Sequence, residues 1–454
     1  MRGKQYKLDM CTGPIAGKIL IFALPLMLSG MLQLLFNAAD IVVVGRFCGK
    51  ESLAAVGSNT SLINLFINLF VGLSVGANVI VAQDLGAGRN KEANRAVHST
   101  ILIALLSGVF LLVMGQVLSR QMLEWMDTPD TVIDLASLYL KIYFLGMPAT
   151  MAYNFGAAML RAKGDTQRPM YYLMLAGVIN VVLNVFFIVA LKWDVAGVAA
   201  ATSISQYVSA ALVLRCLRKE TGELHLEWSQ LRFDKQIFIR IVKVGLPAGL
   251  QGVVFSLANV VIQSGVNSFG DVMVAGASAA ASIEGFVYVA MNSFYQAAIT
   301  FTGQNYGAGK CDRVDRITVW CIAFAVGSGL ILGNLVYLMG PQLISIYSPG
   351  DPAVVQAGMI RMSYISRAYA ICGVMEAMVG VLRGLGRSVG PMVVSLLGSC
   401  VLRLIWVATI FKLYPTPGTL FLAFPVTWVI TGGCHLIFFF KIRKKSYRMV
   451  GYQI

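Results

Sequence analysis

Asp40 stands near the far end of an apolar run that opens at Ile15, about 22 residues beyond Lys18. Along a helix that separation is roughly 33 Å, which carries a side chain to the outer part of a bilayer. Asn180 and Asn184 lie four residues apart, on one face of a later apolar run, and Thr202 enters the run after it. A carboxylate with amide and hydroxyl oxygens at similar depth suits a hard cation, or a carboxyl group that exchanges a proton. The plainer alternative is that these groups only hydrogen-bond helices together. Asp40 has no adjacent cation, which favours an ion site. Na⁺ at Asp40, Asn180, Asn184 and Thr202 is the one metal ion expected.

A second set of charges lies in the C-terminal half. Glu284 and Glu376 fall inside apolar runs, as do Arg367 and Arg403. Ionisable groups at such positions cost about 3 kcal/mol on insertion scales and default to functional candidates. A static network of these acids with Arg367 and Arg403 is one reading, because an isolated buried charge is costly. The preferred expectation is a titrating or substrate-cation site at Glu284 or Glu376. Tyr288, Met291 and Tyr295 follow Glu284 by one and more turns on a related face and are candidate cavity lining. The chain's 21 Met, 24 Phe and 17 Tyr suit a polyspecific apolar cavity.

The elements that position these groups are dictated by composition. Of 454 residues 57% are hydrophobic and 13% charged, with mean hydropathy +0.73. That is about half the charge of a soluble domain. Apolar stretches of 20 or more residues recur from Ile15 to Phe440, so the chain is an all-α polytopic membrane protein. A one-core soluble enzyme is excluded, and so is a β-barrel, whose strands alternate. Breaks at charged or Pro- and Gly-rich stretches predict twelve spans: 15–44, 52–82, 96–118, 131–160, 169–191, 196–214, 241–268, 272–304, 317–339, 353–382, 391–411 and 418–440. Pro25, Pro148, Pro247 and Pro425 fall inside them and permit bends.

With the N-terminus inside, 26 Lys and Arg flank the inner ends, against Arg46, Lys50, Arg120, Lys192 and Lys412 outside. That bias predicts both termini in the cytoplasm of a plasma-membrane protein. It also accounts for the net charge of +15 without nucleic acid. Arg2, Lys4 and Lys7 precede the first run as in a signal peptide. The run is too long and lacks a cleavage site, so it reads as a retained helix. The eight cysteines and three histidines are scattered, giving neither a disulfide framework nor a metal cluster.

The two halves repeat. Gln83–Arg89 (QDLGAGR) matches Gln304–Lys310 (QNYGAGK) at an offset of 221. Leu24-Pro25 matches Leu246-Pro247 at 222, and Leu160-Arg161, Gly164 and Pro169-Met170 match Leu382-Arg383, Gly386 and Pro391-Met392 at 222. Six spans per repeat make parallel repeats, related by an axis along the membrane normal. The expected division is a six-helix bundle over 1–214, a cytoplasmic linker over 215–240, and a second bundle over 241–454 with a basic tail. Asn154 is the repeat counterpart of Glu376 and joins the ion-coupling set; Ile63 is that of Glu284. Gly303–Lys310 lacks phosphate-loop spacing, so no nucleotide or other cofactor is expected.

These motifs resemble those of the multidrug and toxic compound extrusion (MATE) family of cation-coupled antiporters. The similar segments are Pro25 through Asp40, Gly49-x-x-x-Leu-Ala-Ala-Val-Gly57, Gln83–Arg89 with Gln304–Lys310, Leu382-Arg-Gly-Leu-Gly386 and Ala281-Ser-Ile-Glu284. The resemblance implies a monomeric exporter of amphipathic or cationic small molecules that exchanges them for Na⁺ or H⁺. It puts the coupling site of the N-terminal half at Asp40, Asn180, Asn184 and Thr202. Asn184 departs from the several members that carry a second acid there. A lipid-linked-sugar flippase of the same superfamily is the alternative, with more basic residues expected in its cavity. A channel filter and an enzyme's catalytic constellation are not discernible.

Overall fold

The computed structural model describes residues 8–126 and 128–451, so Arg2, Lys4 and Lys7 lie outside the described part. A chain this apolar has no water in the bilayer core to satisfy its peptide groups, and helices satisfy them internally. Among the described residues there is accordingly no strand. Eleven helices among the described residues are long and apolar enough to cross a membrane. A twelfth span is a bent pair, Asp130–Leu145 and Met147–Lys163, meeting at 46°. The twelve correspond one to one with those predicted, most running several residues further at their polar ends.

The fourth span breaks at Gly146, two residues before Pro148, so that proline opens a new helix. Its counterpart, the tenth span, is interrupted by a tight turn at Ser366–Ala368. Pro25, Pro247 and Pro425 lie within continuous helices. The repeat also reaches the backbone: Gly49 and Gly270 open the second and eighth spans at φ 89° and 86°. Gly88 and Gly309 close the same two spans at φ 68° and 70°. A side chain is strained at such angles, so glycine recurs at both offsets.

The chain divides into two compact units, but not at the expected boundaries. Leu28–Gly249 belong to one; Asp9–Met27 belong to the other with the chain from Leu250 onward. Packing explains the difference. In the first unit the start of the seventh span lies against the second span through glycines. A Cβ on Gly72 would fall 2.1 Å from the Gly249 nitrogen, and one on Gly76 2.4 Å from the Ile241 carbonyl. Small residues permit that backbone approach. In the second unit Asn305 Nδ2 and Arg313 Nη2 donate to the Met10 carbonyl at 3.0 and 3.2 Å, and Phe22 meets Phe301 edge-on at 5.6 Å.

The expected linker over 215–240 is also shorter. The sixth span continues to Lys219 and the seventh begins at Lys235. The segment between is stitched to the third span: Asn94 Nδ2 donates to the Glu223 and His225 carbonyls, and Ser99 to that of Arg232 at 2.8 Å. His98 Nε2 accepts the Glu227 N–H at 3.1 Å. Leu224 and Leu226 are fully buried beneath it. A short helix over Gly340–Tyr347, unforeseen in the sequence, lies before the tenth span.

Candidate functional site: a cavity in each repeat

In the first unit a cavity of about 400 Å³ is bounded by the first, second, fourth, fifth and sixth spans. Asp40, Asn154, Asn180 and Thr202 line it. Asn184 lies just behind, where its amide donates to Asp40 Oδ1 and, at 3.4 Å, to Asn180 Oδ1. Asn180 in turn donates to Thr202 Oγ1 at 3.2 Å. The sequence candidates therefore form one hydrogen-bonded line, Asp40–Asn184–Asn180–Thr202. Asn154 stands apart from it, donating to the Thr150 carbonyl at 2.9 Å.

The buried Asn184 Oδ1 has no hydrogen-bond partner. An unspent acceptor beside a carboxylate is what an oxygen-seeking cation requires. Sequence reasoning missed Gln33, Asn37, Asn64, Tyr143 and Gln206, which share this wall. The signal was present: Gln33, Asn37 and Asp40 are spaced four and three apart, one face of one helix.

The second unit holds a cavity of about 450 Å³ whose walls are repeat counterparts of the first. Asn259, Cys372, Glu376 and Ser399 stand 222 residues beyond Asn37, Thr150, Asn154 and Gly177. Tyr288 and Glu376 line it as expected positions, and Arg403 does too. Three candidates do not. Glu284 is 1% exposed and sits behind Arg361, which binds one of its oxygens through Nε at 3.1 Å and Nη2 at 2.9 Å. Ser366 donates to the other oxygen at 3.2 Å. Met291 is fully buried in the core, and Tyr295 is engaged by the Arg383 guanidinium.

The expected charge network is likewise corrected. Glu284 pairs with Arg361, not with Arg367 or Arg403. The break at Ser366–Ala368 separates Arg361 and Arg367 into different helical segments, and Arg367 stacks over Tyr337 at 5.4 Å. Arg403 packs its guanidinium on the Phe424 ring at 4.2 Å. Glu376 has no arginine within ion-pair distance among the described residues.

Twelve spans in two repeated units, each with a polar cavity inside its bundle, define a duplicated helical membrane protein. The chain belongs to the MatE family, whose sequence model matches residues 25–186 and 247–409, once in each repeat. A probable multidrug resistance protein of Bacillus subtilis (strain 168), YoeA, is 28% identical over 386 residues, 83% of this chain and 82% of its own. A second from that organism, YpnP, is 28% identical over 398 residues, covering 87% and 88%. The crystal structure of MATE in complex with MaL6 superposes with a TM-score of 0.90 at 22% identity, covering 97% of this chain and 98% of that one. The resemblance drawn from the motifs is borne out, and the fold is the two-repeat MATE fold of a transporter family.

Proposed function

We propose that the protein is a secondary antiporter of the plasma membrane, exporting amphipathic small molecules in exchange for a monovalent cation, Na⁺ or H⁺, taken up at Asp40. The carrying observation is the hydrogen-bonded line from Asp40 to Thr202 at the wall of a polar cavity. That wall has one acid and, among the described residues, no Lys or Arg. A lone carboxylate in such a place binds a cation or a proton with nothing local to cancel it. The relatives' names as multidrug resistance proteins support the efflux direction. The chain works as a monomer, with both termini and the 220–234 connection in the cytoplasm.

Reconstitution into liposomes tests the coupling. An imposed Na⁺ or H⁺ gradient should drive uphill movement of a fluorescent amphiphile, and whichever ion drives it is the coupling ion. Asp40→Asn should remove gradient-driven accumulation while the purified protein keeps its melting temperature. Undiminished uphill transport by Asp40→Asn would defeat this reading.

A further inference from the structure

The second unit's cavity is the counterpart of the one that holds Asp40, yet its chemistry runs the other way. Ile262, Phe424 and Trp428 occupy the repeat positions of Asp40, Thr202 and Gln206. Arginines stand where the first unit has none: Arg361 replaces Tyr139 and Arg403 replaces Val181. The fold accepts uncharged residues at both places, so packing alone requires neither guanidinium.

Their charges are met unequally. Arg361 is neutralised from behind by Glu284, while Glu376, which lines the same cavity, has no ion-pair partner among the described residues. Arg403 has no carboxylate within ion-pair distance among the described residues, although it is only 5% exposed. Its terminal nitrogens make long hydrogen bonds, 3.5 Å to Asn259 Oδ1 and 3.3 Å to Thr427 Oγ1. Its Nε has none. Arg361 shares the Phe424 ring, 5.8 Å from its centroid, which sets a second guanidinium near the first. A membrane-buried arginine is expensive unless something answers its charge.

We propose that this cavity binds amphipathic anions, seating a carboxylate, sulfonate or phosphate group on Arg403 and an apolar ring system against Phe424 and Trp428. A guanidinium presents parallel N–H donors that match such oxyanions, and the terminal nitrogens of Arg403 hold only long bonds that a better acceptor would replace. The volume, about 450 Å³, is that of a drug-sized ligand site. The inference rests on the efflux reading for the fate of the bound molecule, not for its binding.

Two probes with the same ring and opposite charge test it: 2-naphthalenesulfonate and trimethyl(2-naphthyl)ammonium, titrated calorimetrically into the purified full-length protein. The wild type should bind the sulfonate at least about tenfold more tightly than the ammonium, the size of one charge-assisted contact. Arg403→Gln should lose that preference while keeping its thermal stability, because an unanswered charge has been removed. Arg403→Lys, which keeps the charge but not the fork, should fall between. The proposal is overturned if the wild type prefers the ammonium, or if Arg403→Gln binds sulfonate as tightly as the wild type. Should Arg403→Gln not fold, the wild-type preference and Arg403→Lys decide alone. Sulfonate held through Arg403 by a protein whose transport ignores cation gradients would sink the antiport reading and leave the anion site standing.

Discussion

Glu284 and Arg361 form a buried pair in which each group answers the other. The carboxylate is 2% exposed and the guanidinium 14%. Glu284→Gln should therefore strand the arginine, at a cost of about 3–5 kcal/mol in stability. Adding Arg361→Met should recover most of it, because the second change removes the charge left unmet. Differential scanning calorimetry of the two single variants and the double reads the coupling directly. A Glu284→Gln protein as stable as the wild type would show that the pair contributes nothing. The pairing is not legible in the sequence, where Glu284 and Glu376 are equal candidates and the arginines expected to meet them are Arg367 and Arg403. Which acid meets which arginine depends on the rotation of each helix, and the turn at Ser366–Ala368 resets that rotation between Arg361 and Arg367. The line from Asp40 to Thr202 was legible, because its members lie on single helix faces at one depth.

At the scale of elements, span number and placement followed from apolar run length, which the bilayer dictates. Ends and connections did not, because they are fixed by local hydrogen bonds. Glu220 shows what holds them. It closes the sixth span, receiving Lys163 Nζ at 2.6 Å and Arg168 Nη1 at 2.6 Å from the turn between the fourth and fifth. Burial alone would raise its carboxyl pKa; the hydrogen bonds from Lys163 and Arg168 outweigh it and hold the group below its ordinary 4.5. Its stabilisation is thus full above 4.5 and is lost as pH falls through the depressed value. Glu220→Gln should lower stability at neutral pH by about 1–3 kcal/mol, since the buried Lys163 loses its carboxylate and the half-buried Arg168 is left with Asp165. Melting temperatures measured from pH 7 downward should show the deficit shrinking below about pH 4. A deficit that stays constant with pH would place the effect in packing rather than in charge.

For the whole molecule, duplication supplied one bundle twice and the chemistry of the two cavities then diverged, Asp40 answering to Ile262 and Val181 to Arg403. Which side of the membrane each end of a span faces is set by the basic residues at its ends, 26 against 5. Charged loops of that bias stay in the cytoplasm, because moving Lys and Arg through the bilayer is costly. Ser229, on the connection between the sixth and seventh spans, should then be inside, and Ser345, on the short helix before the tenth, outside. Both are exposed, and neither side chain caps a span, whereas Asp351 accepts from the Ala353 and Val354 amides and would lose that cap on substitution. Cys11, Cys48 and Cys434 are not buried, so the single cysteines belong in a background free of the native eight. A membrane-impermeant maleimide applied to intact cells should label Ser345→Cys at once and Ser229→Cys only after the membrane is opened. The reverse pattern would invert the molecule, set Asp40 near the cytoplasmic face, and require the coupling cation to enter its cavity from inside the cell.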